Sequence, residues 1–138
     1  MIPTDTQKAK EILQRGGYTC VLYREGAEYH SDLKGIKPLL DYIGTGNRFT
    51  GFSAADKTVG AAAAYLYVLL GVQSVWAETL SESGLNILKS HGITVGYEHM
   101  VPVILNRTGD GVCPMETAVQ NAASPEEALR AIRKVLAR

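Results

Sequence analysis

Apolar positions along the chain follow two periods and so predict both helices and strands. Between Thr4 and Arg15, the stripe Ala9, Ile12 and Leu13 predicts an amphipathic helix, stopped by Gly16-Gly17. Tyr18-Thr19-Cys20-Val21-Leu22-Tyr23 is rich in β-formers, and Arg24-Glu25-Gly26 separates it from Ala27–His30, which predicts a β-hairpin. Ile36–Ile43 fits a short helix closed by Gly44, and Arg48–Phe52 a short strand or extended piece. Ser53–Leu70 is almost wholly apolar and predicts one long buried helix. Beyond it, Val72–Ala77 reads as a strand, Leu80–Ser90 as a helix ended by His91-Gly92, and Ile93–Tyr97 as a strand. Val101–Leu105 reads as a further strand, with Pro102 marking an edge or bulge. Cys113–Asn121 and Pro125–Leu136 are the last helices. Ser124-Pro125-Glu126-Glu127 supplies the second with an N-cap Ser, a Pro at the first position and a Glu three residues past the cap.

A helix, a hairpin and then alternating helices and strands predict an α/β fold, a three-layer α/β/α sandwich around a central mixed sheet of about five strands. With 138 residues and no repeat, linker or low-complexity tract, residues 1–138 read as a single domain. The apolar share of 46% is enough to build a core.

Fourteen basic and fourteen acidic residues cancel, so no global basic field exists to gather nucleic acid or anionic lipid. The run Arg130, Arg133, Lys134, Arg138 reads as a solvated face at a helix C-terminus. Met1-Ile2-Pro3-Thr4-Asp5 does not have the pattern of a secretory leader. The apolar stretch from Val59 to Leu70 is shorter than the roughly 18 residues of a membrane span. Two cysteines cannot make a disulfide framework, and Cys20 reads as a small core residue, so a reducing cytoplasmic setting is expected.

The candidate chemistry lies at predicted helix starts. Cys113-Pro114-Met115-Glu116 sets a thiol where a glycine-bearing loop turns into a helix, and helix N-termini favour the thiolate. Asn106 and Arg107 precede it just after a strand, where α/β sheets hold ligands. Arg107 offers a fork for carboxylate or phosphate, Asn106 a donor and acceptor, and Glu116 a base or a first-turn acid. Asp56-Lys57 stands at the start of the long predicted helix. It reads either as a carboxylate at a pocket mouth with a charge partner, or as the end of a Ser53-x-x-Asp56 capping box. Thr79-x-x-Glu82 likewise matches a capping box, with Ser81 and Ser83 as hydroxyls able to line a pocket. His30, His91 and His99 show no metal-ligand spacing, and neither a phosphate loop nor a nucleophile elbow is present.

The order of these segments resembles the cytidine-deaminase-like fold. Asp56-Lys57-Thr58-Val59-Gly60-Ala61-Ala62-Ala63, with Asn106-Arg107 and Cys113-Pro114-Met115-Glu116, resembles more narrowly an uncharacterised prokaryotic family of that superfamily, from Tyr18 to about Gln120. Deaminases of this fold hold a catalytic zinc with His-x-Glu or Cys-x-Glu at one helix start and Pro-Cys-x-x-Cys at the next. The neighbourhoods of Asp56 and of Thr79–Ser83 carry no such ligands, so no metal and no cofactor are expected. Cys113-Pro114-Met115-Glu116 lies two strands too late to replace them.

The resemblance implies a pocket bounded by helix N-termini, suited to a nucleoside- or nucleotide-like small molecule and formed where Asp56 meets Cys113. Lys57, Asn106, Arg107, Glu116 and Ser81 would line it. Two other readings stand beside binding. One is a zinc-independent enzyme with Cys113 as nucleophile or acid and Asp56 as base. The other is a structural or regulatory homodimer without an active site. Neither nucleic acid nor membrane is expected as a partner.

Overall fold

The computed structural model describes residues 4–137. Met1-Ile2-Pro3, read above for a leader, and Arg138, the end of the basic run, lie outside the described residues. The order of elements is α1 (Thr4–Gly16), β1 (Cys20–Arg24), β2 (Ala27–Ser31), α2 (Lys37–Gly44), β3 (Ser53–Val59), α3 (Ala61–Leu70), β4 (Ser74–Ser81), α4 (Glu82–Ser90), β5 (Thr94–Val101), α5 (Pro114–Val119) and α6 (Pro125–Leu136). The strands form one sheet in the order β2-β1-β3-β4-β5. β1 runs antiparallel to β2 and β3, whereas β3, β4 and β5 are parallel and joined by α3 and α4. This is an α/β fold with a five-stranded mixed sheet between helices, as the order of segments predicts.

The largest departure from the sequence reading is Ser53–Leu70, which is a strand followed by a helix rather than one helix. β3 is the middle strand and is buried on both faces. Such a strand is apolar at consecutive positions, and a run of that kind is indistinguishable from a buried helix by period. Alanine favours helix intrinsically, but pairing with β1 on one side and β4 on the other overrides that preference. Gly60, extended at φ −106° and ψ −165°, is the junction.

Four further boundaries moved. Arg48–Phe52, read as a short strand or extended piece, forms no strand: it turns at Thr50-Gly51, and its Phe49 N–H donates to Leu70 O at 2.8 Å. β4 continues through Thr79 and Leu80 to Ser81, so no capping box forms at Thr79; Ser81 is the N-cap and accepts from Gly84 N–H at 3.0 Å. Ile93–Tyr97 and Val101–Leu105 are replaced by the single strand β5, after which Leu105 makes an isolated bridge to Val112. α5 is six residues long, shorter than the predicted Cys113–Asn121. The predicted hairpin is present, turned by Glu25 and Gly26 with φ of 46° and 93°, the positive pair that a two-residue turn between twisted strands requires. α6 begins as predicted, with Ser124 Oγ accepting from Glu127 N–H at 3.1 Å.

The two sheet faces are covered unequally. On one, α1 lays Ala9 and Leu13 against Val21, Ala55 and Trp76. A buried hydroxyl cluster fixes its start: Thr6 Oγ1 donates to Ser53 Oγ at 3.1 Å, Ser74 Oγ donates to Ser53 Oγ at 2.8 Å, and Thr6 also meets Ser74. Lys10 lies 4.9 Å over the Trp76 ring. On the other face, α3 is surrounded by α2, α4, α5 and α6 and buries Ala61–Ala64, Leu66, Tyr67 and Leu70. Among the described residues no helix is long and apolar enough to cross a membrane.

α3 and α4 start side by side because Gly84 has no side chain. A Cβ there would lie 3.1 Å from the carbonyl oxygens of both Val59 and Gly60. In an uncrowded helix Gly→Ala stabilises by about 1 kcal/mol. Here the neighbours are backbone atoms of a buried strand–helix junction that cannot yield. Gly84→Ala is therefore expected to lower the unfolding free energy by about 1–3 kcal/mol, read from denaturant melts; a gain would show that the junction is loose.

Candidate functional site

Ile104 to Met115 folds back on itself as a pinched loop. Cys113 N–H donates to Ile104 O at 3.0 Å, and Asn106 N–H donates to Gly111 O at 2.8 Å. Inside it, Asn106 Nδ2 donates to Asp110 Oδ1 at 3.0 Å, Thr108 Oγ1 donates to the same oxygen at 2.6 Å, and Asp110 N–H donates to Asn106 Oδ1 at 3.2 Å. These bonds to its charged form hold the exposed Asp110 carboxyl below the ordinary carboxylate value. Asn106 is thus spent on the loop itself. Its role is to hold Arg107 and Cys113 in place.

The loop faces the start of α2 across a cavity of about 950 Å³. Ile36, Leu40, Ile104, Leu105, Met115 and Leu136 give it apolar walls, and Thr58 closes it at the end of β3. Lys34, Lys37, Arg107 and Cys113 supply polar groups. Lys37 Nζ donates to Asp41 Oδ1 at 3.2 Å, so the one carboxylate of the lining is already paired. Cys113, partly buried, is the N-cap residue of α5, with no capping bond from its side chain.

Glu116 stands one turn further on and does something else. Its Oε1 accepts from Ala61 N–H at 2.7 Å and its Oε2 from Ala62 N–H at 2.9 Å. The carboxylate of α5 therefore caps α3, satisfying donors that the helix cannot satisfy itself and facing the positive end of its dipole. Gly60 makes room: a Cβ on it would lie 2.3 Å from Glu116 Oε1 and 2.7 Å from Ile104 Cγ1. α4 is capped by Ser81, which is buried and bonded to Gly84 N–H and, at 3.2 Å, to Ser83 Oγ. Both helix N-termini that the resemblance would turn toward a ligand are thus satisfied from within. A second cavity of about 460 Å³ lies against Ala61, Tyr65, Ser83 and Glu116.

Asp56 is not at a helix start and forms no capping box. It sits inside β3, buried, and its side chain points toward α3, where Tyr67 Oη donates to Oδ2 at 2.6 Å and Thr58 N–H to Oδ1 at 3.1 Å. Cys20 Sγ lies 3.3 Å from Tyr67 Oη. Burial pushes the Asp56 carboxyl up to about 7, against the bonds from Tyr67 and the backbone, and the Cys20 thiol is driven up by burial and by Asp56. Asp56 does not line the cavity that holds Cys113, so the expected meeting of acid and thiol is not formed. Lys57, next along the strand, is exposed and also lines neither cavity.

Of the residues singled out by sequence, the structure gathers Asn106, Arg107 and Cys113 at one cavity and places Glu116, Ser81, Asp56 and Lys57 elsewhere. Lys34, Ile36, Lys37 and Leu40 went unnoticed. Their signal was a basic pair flanking Gly35-Ile36 before a helix, which has meaning only once the loop is seen across from it. Among the described residues, no three His, Cys, Asp or Glu side chains gather as metal ligands do.

Two outcomes follow from these contacts. Glu116→Ala leaves buried N–H groups without an acceptor and is expected to cost about 1–3 kcal/mol of stability. Glu116→Gln, whose amide oxygen can still take one N–H, should cost less, and unfolding like the wild type in denaturant would show the cap to be idle. For Asp56, the folded value of about 7 stands above its ordinary 3.8, so the folded state holds the proton more tightly. Its contribution is full below about pH 4 and is lost as the pH rises through about 7. Asp56→Asn should flatten that decline in unfolding free energy, and an unchanged pH profile would refute the assignment.

Residues 8–136 match the family described as TM1506, domain of unknown function (DUF1893). No curated protein matches the chain. Among solved structures, a DUF1893 family protein from Thermotoga maritima shares 24% identity at a TM-score of 0.85, over 99% of this chain and 92% of that one. The dCMP deaminase of cyanophage S-TIM5 aligns at TM-score 0.46 with 14% identity, over 70% of this chain and 99% of its own. A diaminohydroxyphosphoribosylaminopyrimidine deaminase/5-amino-6-(5-phosphoribosylamino)uracil reductase of Thermotoga maritima aligns at 0.45 with 16%, over 69% of this chain and 35% of its own. The match spans nearly the whole chain and agrees with the resemblance to an uncharacterised family without the zinc-ligand motifs, and the chain belongs to the DUF1893 family.

Proposed function

We propose that this DUF1893 chain binds a nucleoside- or nucleotide-like small molecule, without a metal, in the cavity between α2 and the Ile104–Met115 loop. The cavity itself carries the reading. Its roughly 950 Å³ falls in the range of ligand sites, its walls are mainly apolar, and a few polar groups converge on it. It lies by the carboxyl end of β3, next to the place where the sheet changes from antiparallel to parallel pairing, the usual seat of ligands in α/β sheets. Thr58 and Cys113 offer a hydroxyl and a thiol to a polar ring edge, and Leu40 and Met115 offer surfaces for its faces.

Cys113 acts here as a wall rather than a nucleophile. The lining contains no histidine, its carboxylate is held by Lys37, and Asp56 is closed off by Tyr67 and Thr58. The same lining presents one thiol and one lysine-paired carboxylate, which is short of a metal's donor set.

Cys113 is also the built-in reporter, because Cys20 is buried in the core. Iodoacetamide should alkylate Cys113 in the folded protein, and millimolar ribonucleosides and ribonucleotides should slow that reaction in a saturable way, followed by intact-protein mass spectrometry. If no compound of either class slows it or shifts the amide resonances of the loop, the reading fails.

A further inference from the structure

From the charges around this cavity we infer that its ligand carries a phosphomonoester-type dianion, recognised by Arg107 and Lys34; this rests on the binding reading above. The cavity wall carries three cations, Lys34, Lys37 and Arg107, against the single carboxylate of Asp41. Lys37 is engaged with Asp41 at 3.2 Å. Among the described residues neither Lys34 nor Arg107 is paired with a carboxylate, although the loop holds an acid, Asp110, three positions from Arg107. Asp110 is turned inward, onto Thr108 and Asn106. Two positive charges therefore line one largely apolar cavity without a carboxylate partner, one on the loop and one before α2, in a chain whose overall charge is zero.

A phosphomonoester brings about −1.5 to −2 charges near neutral pH, which matches two cations, and its oxygens suit the planar fork of Arg107. A single carboxylate would leave one cation unmatched. The N-termini of α3 and α4 are already occupied by Glu116 and Ser81. The dianion is met by the two cationic side chains at the rim, while the body of the ligand lies against Ile36, Leu40, Ile104 and Met115. Both cations are exposed, so the interaction is screened by salt.

Calorimetric titration of the full chain with the four ribonucleoside 5′-monophosphates, their parent nucleosides and inorganic phosphate separates the possibilities. At low salt at least one monophosphate is expected to bind about tenfold tighter than its nucleoside. Raising the salt, or the double change Arg107→Ala with Lys34→Ala, should close that gap, with melting curves to verify that the variant is folded. Equal binding of nucleoside and monophosphate overturns the dianion and leaves the pocket standing. Inorganic phosphate binding as tightly as the nucleotide overturns the inference from the other side: the two cations then hold a bare anion, and the cavity contributes nothing to a phosphomonoester's binding. If neither nucleosides nor nucleotides bind, the pocket reading falls and the dianion with it.

Discussion

The bond of Glu116 to the first two N–H groups of α3 is the constraint on which the rest of the structure turns. α3 is the apolar centre of the helical layer, touched by α2, α4, α5 and α6 and lying on the sheet. Its first turn has no acid, and its N-cap is a glycine without a side chain. At this partly buried junction an uncapped turn would leave backbone donors without a protein partner, and the usual local remedy is missing. The remedy comes from a carboxylate 54 and 55 residues away. In reaching it, Glu116 fixes α5, and α5 fixes the end of the loop that carries Cys113. The cavity wall and the core helix share one bond pair.

What the sequence disclosed tracks how local each cause was. The Glu25-Gly26 turn, the Ser124 cap, the stop at Gly16-Gly17 and the burial of Cys20 depend on neighbours in the chain, and all were legible. The strand β3 was not, because Ser-Ala-Ala is strand only by virtue of β1 and β4 beside it. That error displaced Asp56 as well: read as helical, it looked like a cap or a pocket mouth, whereas in a central strand it is driven into the core. Glu116 was recognised as an acid suited to a helix N-terminus, but the helix it serves is α3 rather than its own. The candidate site was half legible. Asn106, Arg107 and Cys113 lie close in sequence and read as a unit, while the α2 side of the cavity is brought there only by the fold.

Polar groups inside this core sit on both faces of one strand, β3. Thr6, Ser53 and Ser74 bond one another under α1, and Asp56, Tyr67 and Cys20 bond one another under α3. Among the described residues no buried side-chain polar atom is left without a partner. Each set ties a helix to a particular residue of β3, and a one-residue slip of that strand would exchange the two faces and break both. Alanine-rich surfaces offer little shape to specify register, and these hydroxyl and carboxyl bonds supply it.

The reach of Glu116 also orders events in time. On the ribosome, α3 and the three parallel strands are made before the residue that completes their central helix. Without Glu116 the first two N–H groups of α3 have no side-chain acceptor, and the strand–helix junction at Gly60 lacks the partner that closes over it. Long-range contacts of this kind are slow to form, since loop closure comes before the gain from the contact. The sheet is laid down from the N-terminal side, but its core is sealed from the C-terminal side, by a residue of the same short helix that borders the cavity.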